Sequence, residues 1–186
     1  MAQLGFYFDM TSCIGCKTCQ IACRDRNNLY GLGEIFRRVE TYEEGKYPAI
    51  RYFSTSDSCN HCERPACMAV CPVKAISKVP DSGEVIIDPE MCIGCKSCVS
   101  ECPYGEPVFI ESEGVVRKCD SCLPLRDKGE LPTCVAACPM RALDFGPLDE
   151  LEKRYGSGLV SSVKVLPSPD TTGPSLRILA RDVALA

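Results

Sequence analysis

The sequence predicts an α+β fold of two small modules, one inserted in the other, with few short strands and helices and a long irregular C-terminal tail. Three observations lead there. Sixteen cysteines fall into four groups of four with none left over, at Cys13/Cys16/Cys19/Cys23, Cys59/Cys62/Cys67/Cys71, Cys92/Cys95/Cys98/Cys102 and Cys119/Cys122/Cys134/Cys138. The groups repeat in kind: the first and third are spaced C-x2-C-x2-C-x3-C, while the second and fourth widen one gap to x4 and x11. Finally, 186 residues with 7% aromatics and no Trp carry modest material for an apolar core. Bound inorganic groups must then supply much of the interior.

The spacing selects the group. Three thiolates two residues apart, followed by a fourth after three, match the bacterial ferredoxin run that holds a cubane [4Fe-4S] cluster. Three of the four quartets close in Cys-Pro, at Cys71-Pro72, Cys102-Pro103 and Cys138-Pro139. The proline cannot donate an N–H and disfavours helical geometry in the cysteine before it. The last Cys of each run is expected at the start of a helix, ligating the other cluster of a two-cluster unit. Gly15 and Gly94 fill the first gap of the two regular motifs, where positive φ lets backbone amides approach sulfur. Disulfides would suit a small secreted chain, but the N-terminus shows no n-region, h-region or cleavage site. Zinc knuckles also use C-x2-C pairs. Three cysteines at x2 and x2, followed by x3 and Pro, would crowd a tetrahedral ion.

Along the chain, residues 24–58 lack cysteine, and strands over Arg38–Tyr42 and Ala49–Ser54 flank a turn at Glu44-Gly45-Lys46. This inserted hairpin, at about 36–54, is expected to cover a cluster or meet a partner. Between the second and third motifs, Pro80-Asp81-Ser82-Gly83 separates Ala75-Ile76 from the β-branched run Val85-Ile86-Ile87, which predicts a short hairpin. Cluster loop, helix, hairpin and second cluster loop make residues 59–110 resemble a complete two-cluster ferredoxin. Motifs one and four, in 1–58 and 111–156, then form a second ferredoxin-like module around it. Pro147–Tyr155 reads as a helix, with acids early, Lys153 and Arg154 late, and Gly156 closing it. The tail, 157–186, contains Pro167, Pro169, Gly173 and Pro174 and is expected to be extended and irregular.

If the fourth cysteines cross over as in two-cluster ferredoxins, four ligand sets follow. Cys13, Cys16, Cys19 and Cys138 hold one cluster, and Cys119, Cys122, Cys134 and Cys23 its neighbour. Cys59, Cys62, Cys67 and Cys102 hold the third, and Cys92, Cys95, Cys98 and Cys71 the fourth. Uncrossed sets stay open at this point.

His61 is the single histidine and lies within a motif already complete in cysteine, so a hydrogen-bonding or solvent-exposed role is expected. Lys17, Arg24, Arg64, Lys74, Lys96, Lys118 and Arg141 lie in or beside motifs, where the ordinary reading of each is a solvated loop face. No catalytic group is expected: no Ser/His/Asp arrangement, P-loop or G-x-G-x-x-G motif occurs. Net charge is −4 before any cluster, and each oxidised cubane with its thiolates adds about −2. That balance argues against a nucleic-acid partner. No run of 18 or more apolar residues offers a membrane span.

With these residues in view the chain resembles the iron-sulfur electron-transfer subunit, of the B-subunit type, in the dimethyl sulfoxide reductase family of molybdopterin oxidoreductases. The resemblance rests on Cys13-Ile14-Gly15-Cys16-Lys17-Thr18-Cys19, Cys59 through Cys67, Cys92 through Gly105, Lys118-Cys119-Asp120-Ser121-Cys122 and Arg141 through Gly146. It implies four [4Fe-4S] clusters in a wire, with molybdopterin confined to a large catalytic partner and a quinol-oxidising membrane subunit at the other end where one is present. Some such subunits replace the second Cys of motif three by Trp and hold a three-iron cluster; here that position is Cys95. Localisation is expected to be cytoplasmic, membrane-associated through partners, or exported folded with a signal-bearing partner. A free-standing polyferredoxin is the alternative, and a zinc-bound interaction module a third class.

Overall fold

The computed structural model describes residues 2–185. In chain order the first elements are β1 (Leu4–Asp9), α1 (Thr18–Arg26), β2 (Arg37–Glu44), β3 (Arg51–Ser58), α2 (Ala66–Ala69), β4 (Ile76–Lys78), β5 (Val85–Ile87) and α3 (Ser97–Glu101). There follow β6 (Val108–Ile110), β7 (Val115–Arg117), α4 (Leu123–Arg126), α5 (Thr133–Ala136), β8 (Leu143–Pro147), α6 (Leu148–Tyr155), β9 (Leu176–Leu179) and α7 (Asp182–Leu185). Short strands and one- to two-turn helices dominate, as expected of a protein whose loops must converge on bound groups.

One three-stranded sheet ties the two ends of the protein together. β1 lies between β8, antiparallel with Phe6 opposite Phe145, and β9, parallel with Phe8 opposite Ile178. Both faces of β1 are covered: Phe6, Tyr7 and Phe8 are all buried, the pattern of a central strand. The tail therefore departs from the expected irregular segment. Leu176 and Ile178 alternate inward, and β9 finds its partner about 170 residues away in sequence, where proline and glycine upstream conceal the strand. The tail also grips motif two: the Glu63 N–H donates to Gly173 O at 2.7 Å, Arg64 N–H to Thr172 O at 2.9 Å and Ser175 N–H to Asn60 O at 2.8 Å.

The remaining strands form three antiparallel hairpins. The hairpin predicted after motif one forms as β2 and β3, with Arg37 opposite Ser58 and Glu44 opposite Arg51. Its second strand begins and ends later than the sequence suggests, because Lys46 to Pro48 widen the turn, with Ala49 N–H donating to Lys46 O at 2.8 Å. The hairpin predicted between motifs two and three forms as β4 and β5. A third, β6 with β7, has no signal in the sequence and straddles residue 110, the expected boundary between the two modules. The predicted helix after Pro147 is α6, with Asp149 and Glu150 in its first turn and Lys153 and Arg154 in its last.

The two halves repeat at the level of the backbone. Gly15 and Gly94 share φ +67°, Lys17 and Lys96 lie at +62° and +61°, and Lys74 and Arg141 both lie at +54°. Motif one thus corresponds to three and motif two to four. The glycines are required where they stand: a Cβ on Gly15 would lie 2.8 Å from Ser54 Oγ, and one on Gly94 would strike Gly114 O.

Candidate iron-sulfur sites

Helices α1 and α3 are entered through a left-handed lysine, Lys17 or Lys96, and α2 and α5 through an extended proline, Pro65 or Pro132. The fourth cysteine departs from expectation: it lies at the end of its helix and not at the start. Cys23 occupies the last turns of α1, Cys102 directly follows α3, and Cys71 and Cys138 lie two residues beyond α2 and α5. The reason is spacing, since the third and fourth cysteines of every motif are i and i+4 and share one helical face. Cys102 is extended, at φ −75° and ψ 114°, as the following proline requires.

Helix α1 packs against α5, and α2 against α3. This brings thiols from paired motifs together. One cavity is lined by Cys13, Cys16, Cys19 and Cys138. A second is lined by Cys59, Cys62, Cys67 and Cys102. A third is lined by Cys71, Cys92, Cys95 and Cys98. The remaining four, Cys23, Cys119, Cys122 and Cys134, are all buried, and the charges of Cys134 and Cys122 bear on Cys23.

The donor set fits a cluster better than a single ion. Four soft thiols line each of three cavities. Among the described residues no group of three or more His, Cys, Asp or Glu side chains is placed to hold one metal ion. All sixteen cysteines are free thiols. Backbone amides point at the sulfurs: Ala75 N–H to Cys71 Sγ and Ala142 N–H to Cys138 Sγ, each at 3.3 Å, Ser121 N–H to Cys119 Sγ at 3.3 Å and Val116 N–H to Cys92 Sγ at 3.4 Å. These are donors for thiolate ligands.

Burial pushes the thiols of Cys23 and Cys67 up to about 12, and that of Cys119 well above the ordinary range. A thiol so buried keeps its proton unless a bound cation offsets the charge of the thiolate. Two cysteines differ. Cys16 and Cys95 are exposed, and the Thr18 and Ser97 hydroxyls beside them pull their thiols down.

The hairpin of β2 and β3 borders the first cavity, with Val39 and Ser56 in its wall and Ser56 Oγ 3.5 Å from Cys19 Sγ. His61 is 1% exposed and accepts the Val85 N–H at Nδ1, 3.0 Å, while Nε2 lies 3.4 Å from Ser121 Oγ. Both ring nitrogens are engaged within the protein, in keeping with a hydrogen-bonding role. Most cations beside the motifs serve the backbone or surface: Arg24 donates to Leu29 O, Arg64 to Asp170 O and Arg141 to Cys138 O. Lys118 is the exception, buried with its Nζ 3.3 Å from Cys59 Sγ.

Sequence reasoning missed Arg37 altogether. It lies outside every motif, yet the alternation of β2 puts it in phase with buried Val39. Its guanidinium is held by Ser56 O at 2.8 Å and Ser58 Oγ at 2.8 Å, over the Phe6 ring. Burial opposes its charge, but the thiolates of Cys134, Cys119, Cys19 and Cys23 around it raise its pKa.

Comparison with known proteins agrees with this geometry. A family model described as a 4Fe-4S dicluster domain matches residues 50–148, and a second of the same description matches 12–75. The B chain of anaerobic dimethyl sulfoxide reductase from Haemophilus influenzae is 44% identical over 95% of this chain and 88% of its own length. The Escherichia coli protein of that name is 43% identical over the same shares. The B subunit of sulfite dehydrogenase from Allochromatium vinosum is 36% identical over 81% of this chain and 71% of its own. Paired four-thiol sites, a matched pair of dicluster domains and near full-length relatives converge: this protein is a member of the 4Fe-4S dicluster family and belongs among the iron-sulfur electron-transfer subunits of anaerobic dimethyl sulfoxide reductases and their kin.

Proposed function

We propose that the protein is the non-catalytic electron relay of a molybdenum or tungsten bis-pterin oxidoreductase, holding four [4Fe-4S] clusters in crossed ligand sets. The observation that carries the ligand sets is the lining of the three cavities, each with three thiols of one motif and the fourth of its paired motif. On this reading the two modules are 59–110 and the enclosing 1–58 with 111–156. When bound, such clusters accept and donate single electrons without substrate reaching iron.

On this reading the sites form a sequence. The charge of Cys19 bears on Cys134, and that of Cys59 on Cys119. Helices α2 and α3 then link the Cys59 site to the Cys92 site. This gives a linear series in which the two terminal sites, and only those, contain an exposed thiol, Cys16 or Cys95. A wire needs two accessible ends. The first end would face the pterin-bearing subunit and the other a quinol-oxidising membrane subunit or another donor. Among the described residues no helix is long and apolar enough to cross a membrane, so membrane attachment would come through a partner. One relative is named for a reductase and another for a dehydrogenase. A shared relay with a substrate chosen by the catalytic partner accounts for both.

Anaerobic purification from the native host, followed by native mass spectrometry and pterin analysis, tests the assembly. Co-purification with a pterin-bearing protein is expected; a lone polypeptide with four clusters would replace the relay by a mobile polyferredoxin. A second expectation concerns the exposed end. Cys95→Ser should release one iron of about sixteen per polypeptide, giving the EPR signal of an oxidised three-iron centre with the fold retained. Unchanged iron and spectra would remove Cys95 from the ligand set.

A further inference from the structure

Two buried cations stand where successive sites meet. Lys118 immediately precedes Cys119, and its ammonium donates to Cys59 Sγ at 3.3 Å, to Cys119 O at 3.0 Å and to Val85 O. Its three N–H groups are thus used, one of them on a thiol of the neighbouring module. Arg37 feels thiols of two sites, Cys19 of one and Cys134, Cys119 and Cys23 of the other, which it shares with Lys118. Ser56 Oγ, 3.1 Å from Arg37 Nη1 and 3.5 Å from Cys19 Sγ, extends that contact.

Neither cation is there to complete a protein ion pair. Among the described residues no carboxylate lies within ion-pair distance of either. The buried carboxylate Glu84 is taken by Arg126 at 2.5 Å and by Ser121. Glu106 lies farther off and is paired with Arg38 at 3.8 Å, while burial pushes its carboxyl up to about 8. Arg37 instead meets neutral oxygens. Fully buried Lys and Arg are rare unless paired, and apolar residues of similar volume fill such positions at least as well. Both cations feel the thiolate of Cys119.

We propose that Lys118 and Arg37 are positioning residues of the electron path, fixed charges that hold the electron at the two inner junctions. Lys118 serves the junction between the Cys59/Cys62/Cys67/Cys102 and Cys119/Cys122/Cys134/Cys23 sites. Arg37 serves the junction between the latter and Cys13/Cys16/Cys19/Cys138. The inference rests on the crossed ligand sets proposed above. At each junction one electron leaves one site and arrives at the next; no bond forms or breaks, and both cations keep their protons. A positive charge beside a site favours its reduced form. The site built on Cys92 has neither cation as a neighbour.

The test is potentiometric titration of the full-length, cluster-loaded protein with dithionite, followed by EPR, in wild type, Lys118→Met and Arg37→Met. Each variant should lower two of four midpoint potentials by at least tenfold in the reduction equilibrium, 59 mV for a one-electron couple. One centre should move in both variants and one in neither. Potentials that stay put in iron-replete variants, or four that move together, overturn the inference. Wild type with fewer than four clusters overturns the ligand sets instead. If a methionine variant loses iron, wild-type protein labelled with 15Nζ-lysine decides by pulsed EPR. An ammonium nitrogen coupled to a reduced centre, and lost in Lys118→Arg, is expected; its absence in wild type overturns the role of Lys118.

Discussion

Replacing Cys134 by Ala is expected to remove an inner cluster and, with it, the fold. Cys134 is 4% exposed and lies in the main core with Cys19, Cys23, Cys119 and Cys138. Around that site converge α1, which carries Cys23, the Lys118 to Cys122 loop and α5. These elements are too short to be stable alone, helices of under about 12 residues being marginal in water. Where a metal group organises such pieces, its binding free energy is folding free energy, about 10–16 kcal/mol for structural zinc. That matches or exceeds the whole stability of an ordinary domain, about 5–15 kcal/mol. Loss of one ligand also strands the buried Arg37 charge, which Cys134 helps to balance.

The measurement is iron and sulfide content beside circular dichroism and limited proteolysis. Iron should fall from about sixteen per polypeptide to about twelve or fewer, with protease sensitivity throughout and no cooperative melting transition. The exposed-end variant Cys95→Ser, by contrast, should keep its fold. A Cys134→Ala protein with full iron and a wild-type melting curve would take Cys134 out of the ligand set and dissolve the crossed assignment.

The parts of this protein that were legible in its sequence are those whose cause is local. Cysteine spacing encodes the loop that converges thiols, so all four motifs could be read directly. The turn at Pro80–Gly83 and the capped segment after Pro147 carry their own turn and dipole chemistry, and β4/β5 and α6 follow. The central sheet has no such local signal. β1, β8 and β9 are each six residues or fewer, and they pair across roughly 140 and 170 intervening residues. Buried charge was equally hidden. A lysine beside a cysteine reads as a loop cation, and an arginine on a strand reads as an edge; only packing shows that Lys118 and Arg37 face inward. The fourth cysteine was misplaced on its helix because the motif gives spacing and not the direction from which the helix approaches.

Ending the chain at residue 157 should be as damaging as losing an inner cluster, although no ligand is removed. The segment beyond contributes Val163, Leu176, Ile178 and Val183 to the buried core. At about 1.5–3 kcal/mol each, these amount to about 6–12 kcal/mol as an upper estimate, again the size of total domain stability. Truncation also uncovers the β1 edge, which loses the Phe6 N–H bond to Ser175 O and the Met10 N–H bond to Leu179 O, and leaves a bare strand open to intermolecular pairing. Motif two is affected in turn. The Glu63 and Arg64 amides, one and two residues past Cys62, lose their acceptors on Gly173 and Thr172. The truncated form should therefore accumulate as insoluble, iron-poor protein. A graded version separates packing from pairing: Ile178→Ala keeps the backbone of β9 but opens a cavity costing about 2–5 kcal/mol, a fall in Tm of roughly 4–20 °C for a protein of this size. Soluble truncated protein with four clusters and an unaltered Tm would show that β9 is dispensable, and the Cys59 site would then depend on its own loop alone.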